Sequence, residues 1–166
     1  MSRRFRLLVI LAVVAACGSC DQATKLAAER FLAPPKRLDL LGGIVKLELV
    51  HNKGAFLGLG SGIPDTFRTW LLVGLVTVLL IAALAYALRG RAISRPELLA
   101  LALFVAGGCG NLVDRVWLGA VRDFVSVGFG PLRTGIFNVA DFAITCGAVL
   151  MLWSFWRHRQ REAAPS

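Results

Sequence analysis

The sequence predicts an all-α integral membrane protein forming a single domain over residues 1–166, with four transmembrane helices and a small extracytoplasmic β segment. Three observations carry that prediction. Hydrophobic residues make up 57% of the chain and the mean hydropathy is +0.68, values foreign to a soluble domain of this length. Four apolar stretches approach or reach the roughly 20 residues that a helix needs to span a bilayer, and arginines flank them. Between the first and second stretches, apolar and polar residues alternate with a period of two, as in a half-exposed strand.

The first stretch begins with Arg3, Arg4 and Arg6 and continues as an apolar run from Leu7 to Cys20. That layout is compatible with a secretory signal, and Val14-Ala15-Ala16-Cys17 resembles a lipoprotein cleavage box. Three further apolar stretches make the chain polytopic in either case. Continuing through Asp21–Ala28 supplies the length of a span, so an uncleaved helix over about residues 5–30 is expected. Asp21 and Lys25, four residues apart, project from one face at its outer end.

Pro34-Pro35 ends that helix. Arg37–Leu40 and Val45–Leu49 alternate around Gly42-Gly43, which predicts a hairpin inside a β segment of about residues 36–62. Two strands alone are marginal in water, so the sheet should rest on the membrane surface or on the helix ends. His51–Phe56 and the glycine-rich tail to Gly62 read as loop. The second helix is expected over about residues 67–88, capped by Asp65 or Thr66. Ser94 and Glu97 have capping-box spacing with Pro96 between them, which starts a third helix over about residues 96–118. A loop over residues 119–136 then leads to a fourth helix, about residues 137–156, and a basic tail.

Three arginines mark each of the N-terminus, the 89–95 turn and the tail, and four spans put all three on one side. By the positive-inside rule that side is cytoplasmic, so the β segment and the 119–136 loop face outward. The net charge of +9 is thereby explained by membrane topology. The basic residues flank apolar segments instead of forming one face, which argues against nucleic acid as a partner and for membrane lipids. Cys17, Cys20, Cys109 and Cys146 all lie in or beside apolar segments and read as buried structural thiols. The Cys17-x-x-Cys20 spacing lacks the βαβ context of a redox motif.

This arrangement collects the unusual polar residues at the outer level: Asp21 and Lys25, then Asn111, Asp114 and Arg115, then Asp123 in the outer loop, then Asn138 and Asp141. Ionisable groups at membrane depth are costly and mark functional sites by default. Several have plainer readings. Asp114 beside Arg115 suits a structural ion pair, Asn138 suits a helix cap, and Asp21 with Lys25 suits a scaffold pair. Gly107, Gly108 and Gly110 suit close helix approach. Asp123 and Asp141 are harder to explain in that way, because neither has a basic partner at helical spacing and Arg122 points elsewhere on a regular backbone. Two carboxylates that approach closely share a proton; the ionised one can then activate water while the protonated one polarises a carbonyl. No G-x-S-x-G or HExxH motif is present, and His51 and His158 are isolated. A carboxylate-held metal is compatible with the spacing but not demanded by it. A proton-relay or transport subunit would string its acids across the bilayer, and an assembly factor would use them as scaffold only.

Five blocks carry a family resemblance: Asp21-Gln22-Ala23-Thr24-Lys25, Asn52-Lys53-Gly54-Ala55, the run from Gly107 to Arg115, the run from Gly119 to Phe124, and Phe137-Asn138-Val139-Ala140-Asp141. In order and spacing they resemble lipoprotein signal peptidase, also called signal peptidase II, over nearly the whole chain. The resemblance implies an aspartic endopeptidase of the bacterial inner membrane, with cytoplasmic termini and an extracytoplasmic active site. Such an enzyme removes the signal peptide from diacylglyceryl-modified prolipoproteins, cutting just before the lipidated cysteine, and uses no metal or cofactor. It implies Asp123 and Asp141 as the catalytic dyad. Asn52, Gly54, Asn111, Arg115 and Asn138 would then line or shape the substrate site, with Asp21, Lys25 and Asp114 in support. The hairpin is similar to the family's β-cradle and the 52–62 loop to its mobile flap. A monomer is expected. One departure is visible: Phe56 directly follows Ala55, where the family commonly has a second alanine.

Overall fold

A computed structural model describes residues 1–54, 64–90 and 93–163. Among them are four helices long and apolar enough to cross a membrane: α1 (Arg3–Phe31), α2 (Asp65–Arg89), α3 (Arg95–Leu118) and α4 (Val139–Ala163). An antiparallel sheet joins β1 (Arg37–Leu40), β2 (Val45–Asn52), β3 (Val121–Phe129) and β4 (Leu132–Arg133) in that order.

α3 is the central post. Half of its span is buried, against 11% for α1 and α2, and it touches the other three helices. Small residues permit this, since apolar side chains gain little from leaving lipid and close backbone approach supplies the attraction. A Cβ on Gly107 would run into the carbonyl oxygen of Ala140, and one on Gly110 would come within 2.6 Å of the Asp21 carboxylate. α2 and α4 turn Leu71, Leu75, Val78, Val149 and Leu152 outward, as a lipid-facing surface requires.

The helix ends follow local rules with one exception. The Ser94–Glu97 capping box forms as expected, with Ser94 N donating to Glu97 Oε2 at 2.8 Å and Glu97 N to Ser94 Oγ at 3.4 Å. α3 stops at Gly119, whose φ of +71° suits a left-handed C-cap. α2 is the exception. Pro64 takes the cap position without a side-chain bond, so neither Asp65 nor Thr66 caps this helix. Asp65 is its first residue, and its carboxylate binds Lys53 at 2.7 Å and Arg68 at 2.6 Å.

The hairpin of β1 and β2 forms around Gly42 and Gly43, both at positive φ. The sheet does not end there. The 119–136 stretch, expected as a loop, supplies β3 and β4, and Asp123 lies on a strand. The reason is burial: Val121, Arg122, Asp123 and Phe124 are all covered, so the two faces of β3 do not differ enough to leave a period-two pattern. Arg133 fastens the new edge by donating to the carbonyls of Gly43, Ile44 and Ser126 at 2.8–3.1 Å. Phe137 is drawn into a bridge with Val125, so α4 begins at Val139 and not at Phe137.

One irregularity matters for the site. Leu47 pairs with Val125 and Val50 with Asp123, so β2 carries one residue more than β3 between these pairs. This is a β-bulge, and it changes which β2 side chains share a face with Asp123.

Apolar clusters close both ends. Ala28, Leu32, Leu49 and Phe124 join α1 to the sheet; Ile10, Ala87, Ile93, Leu98, Leu101 and Ala102 join the opposite, tail end. There the buried Arg6 guanidinium donates to the carbonyls of Ala87 and Gly90, capping the negative end of α2. The cysteines are not the buried thiols expected: Cys20 is exposed and the other three are half-buried, because their helical positions face outward. The 55–62 loop, with its Phe56 departure, and Arg91 lie outside the described residues.

Candidate active site

The site is assembled where α4 starts. A helix N-terminus presents amides without intrahelical partners, and here side chains from α1 and α4 meet them. Asn138 occupies the cap position. Its Oδ1 accepts from Asp141 N at 2.9 Å, while its own backbone amide donates to Asp141 Oδ2 at 3.2 Å. This reciprocal pair is a capping box with aspartate in the place of glutamate. The amide between them, Ala140 N, donates to Asp21 Oδ1 of α1 at 2.9 Å. The plain reading of Asn138 as a cap is therefore correct, and incomplete.

Its side-chain amide also donates to Asp123 Oδ1 at 2.6 Å and to Asn111 Oδ1 at 3.1 Å. Asn138 thus holds one carboxylate with its side chain and the other with its backbone. Asn111 of α3 completes the ring by donating to Asp141 Oδ1 at 2.7 Å. Asn52 of β2 donates to Asp123 Oδ2 at 2.9 Å, and its own Oδ1 accepts from Gly54 N at 2.8 Å. Gly54 sits at a φ of +83°, which lets the backbone turn back onto that oxygen. All four carboxylate oxygens of Asp123 and Asp141 accept a hydrogen bond from an amide, and no Lys or Arg forms an ion pair with either acid among the described residues.

Beneath the pair is a buried ionic layer. Lys25 is wholly covered and lies 2.8 Å from Asp21 and 3.2 Å from Asp114. Its ammonium also donates to Asn111 Oδ1 at 3.1 Å, which obliges the Asn111 NH₂ to face Asp141. Asp114 does not pair with Arg115. Its oxygens take the Arg122 guanidinium at 2.7 Å and the Arg122 backbone amide at 3.0 Å. The reason is angular: Asp114 faces α1 and β3, and the next helical position is rotated about 100° away. Arg122 also reaches Glu29 at 3.0 Å and Gln22 at 2.9 Å.

The expected residues therefore divide cleanly. Asn52, Asn111, Asn138, Asp123 and Asp141 form one hydrogen-bonded unit, while Asp21, Lys25 and Asp114 form the layer that orients it. Arg115 makes no ion pair or hydrogen bond among the described residues. It lies near enough to Asp141 and Asp123 to interact with both charges, and it lines a cavity of about 330 Å³ with Lys53, Thr69 and Trp70. A second cavity of about 340 Å³ is lined by Phe137, Asp141, Phe142 and Thr145. Three residues of the ionic layer were not expected: Arg122, Gln22 and Glu29. Reading residues 121–129 as a strand would have revealed Arg122, since alternation puts it on the face opposite Asp123.

The two acids differ in surroundings. Asp123 is 3% exposed, whereas Asp141 opens onto a cavity. Burial pushes the Asp123 carboxyl up to about 6, and the Asp141 charge adds to the rise; the amides of Asn52 and Asn138 and the Lys25 charge oppose it. Such a group is poised to exchange a proton near neutrality.

Comparison with known proteins adds an independent finding. The family described as Signal peptidase (SPase) II matches residues 10–157. The lipoprotein signal peptidase of a Methylobacterium species is 42% identical over 160 residues, covering 95% of this chain and 95% of that one. Its counterpart from a Sulfurihydrogenibium species is 38% identical over 143 residues, covering 84% of this chain and 87% of the other. A bacterial membrane enzyme solved by the in meso method at 2.3 Å shares the fold, with a TM-score of 0.79 at 23% identity over 98% of this chain and 93% of that one.

Proposed function

The chain belongs to the signal peptidase II family, and from that premise we propose that it is an aspartic endopeptidase working through Asp123 and Asp141. As a family member it is a multi-pass membrane peptidase that removes signal peptides from lipoproteins. The finer reading is that its substrate is a diacylglyceryl-modified prolipoprotein, cut just before the lipidated cysteine.

One observation carries the dyad. Asn138 bonds to both carboxylates, one through its side chain and one through its backbone, at the mouth of a membrane bundle. In the proposed reaction Asp123, raised by burial, holds the shared proton, and Asp141 is the base. A water gives its proton to Asp141 as its oxygen bonds to the scissile carbonyl carbon, while Asp123 donates a hydrogen bond to the carbonyl oxygen. Collapse of the tetrahedral species breaks the C–N bond, and the proton passes from the dyad to the leaving nitrogen. Arg115, charged and uncommitted to any one acid, is suited to hold a substrate carbonyl at the site entrance.

The site's position suits the substrate. Lipid tails can stay among the helices while the peptide reaches the polar ring, and each CH₂ kept from water avoids about 0.8 kcal/mol. The arginine-rich tail end would be cytoplasmic and the sheet end external, in the bacterial inner membrane, with one chain as the working unit. The deciding experiment compares one precursor with and without its diacylglyceryl group. Purified protein should release the signal peptide from the lipidated form alone; equal cleavage of both would refute the substrate assignment.

A further inference from the structure

At the tail end, far from the two aspartates, the start of α3 and the last turns of α4 enclose a cavity of about 180 Å³. Ser94, Pro96, Trp153, Ser154, Arg157 and His158 line it. We propose that this cavity binds the phosphate group of an anionic ligand, supplied at this depth by the headgroup of an anionic phospholipid.

Three features point there. The Arg157 guanidinium lies over the Trp153 ring, 4.7 Å from its centroid, and makes no ion pair or hydrogen bond among the described residues. Stacking fixes the plane of the guanidinium and leaves its N–H edge for an acceptor, and that planar fork matches two phosphate oxygens. Ser94 and Ser154 bring hydroxyls to the same wall, their oxygens 3.4 Å apart. Trp153, Phe155 and Trp156 are all exposed around this end, a belt of the kind found at the membrane–water interface, so the cavity opens at headgroup level.

The neighbouring charges permit an anion. Glu97 is the adjacent acid, and its carboxylate is already occupied: Oε2 accepts from Ser94 N at 2.8 Å and Oε1 from Ser154 Oγ at 3.4 Å. Arg6, the buried cation of this end, is committed to the carbonyls of Ala87 and Gly90. Among the described residues that line the cavity, Arg157 is therefore a cation with capacity to spare. Basic pockets between spanning helices are a recurrent form of anionic-lipid site.

The fold supplies a matched control. Arg159 also stacks on an α4 ring, 5.1 Å from Phe155, but does not line the cavity. Both arginines are exposed, so neither substitution should unfold the chain. The full chain in neutral detergent would be titrated with phosphatidylglycerol, phosphatidylcholine and inorganic phosphate in separate arms. Bound species would be read by native mass spectrometry and the unfolding midpoint by a thermal scan. Phosphatidylglycerol should bind and stabilise where phosphatidylcholine does not. Arg157→Gln should weaken that binding about tenfold, as loss of a charge-assisted bond implies, with Arg159→Gln staying within about twofold. Inorganic phosphate binding of equal strength, lost in the same variant, would assign the site to free phosphate instead of lipid. Equal weakening in both variants, or no Arg157-dependent binding of either anion, overturns the proposal.

Discussion

Asn138 and Asp141 hold each other at the start of α4, each backbone amide donating to the other's side-chain oxygen at 3.2 and 2.9 Å. The bonds that begin the helix are thus the bonds that aim a proposed catalytic carboxylate. A substitution that removes the side-chain acceptor of either residue would disturb both tasks, and the rigidity of a long helix is lent to one acid.

Substituting either acid tests the dyad. Asp123→Asn and Asp141→Asn should insert and unfold as the parent chain does, since asparagine keeps the shape and one acceptor. Cleavage of a lipidated precursor should fall by about 10²–10⁴-fold in each. Turnover near the parent rate in either variant would remove that residue from the mechanism.

The pH profile tests which acid holds the proton. The Asp123 carboxyl is raised from 3.8 to about 6 in the folded chain, chiefly by burial. Folding therefore favours its protonated form; that stabilisation is whole below 3.8 and is lost as pH climbs through about 6. On the proposed mechanism kcat/KM declines over the same upper range, as a property of the pair. The Asn52 amide opposes the rise, so Asn52→Leu should move the declining limb to higher pH. A limb unmoved by Asn52→Leu would count against Asp123 as the proton holder.

Lys25 carries the ionic layer. Replacing it with methionine leaves Asp21 and Asp114 buried with one cation fewer, which should cost about 3–5 kcal/mol in unfolding. Denaturation in detergent would measure it, and a variant of parental stability would show that the layer is dispensable.

Arg122 should act on catalysis without touching substrate. It ties β3 to Asp114 through both its guanidinium and its amide, one residue from Asp123. Arg122→Gln should lower kcat more than it raises KM, with Arg122→Lys recovering part of the loss. A change in KM alone would indicate substrate contact instead.

Orientation is open to a direct check. A reporter fused after Ser94 should be cytoplasmic and one after Gly130 external. The reverse pattern would invert the proposed arrangement.

Much of this was legible in the residues themselves. Four apolar spans, the hairpin around Gly42-Gly43 and the Ser94–Glu97 box depend on local rules, and the structure repeats them. The gathering of Asp21, Asn111, Asn138 and Asp141 at one end followed from counting spans. What stayed hidden depended on contacts between distant segments. β3 lost its alternation because both its faces are covered. The partner of Asp114 proved to be Arg122, eight residues on, because the chain folds back across α3, and no spacing rule reports such a return.

The surplus residue in β2 has a consequence of its own. Counted regularly from Leu47 opposite Val125, Asp123 would share its side of the sheet with odd-numbered β2 positions, and Asn52 would point the other way. The irregularity swaps odd for even, which is how Asn52 comes to touch Asp123. The contact is thus governed by parity: pairing the full-length strand in one unbroken register from Leu47, without the bulge, would turn the asparagine from the acid even though every side chain of the ring remained in the chain.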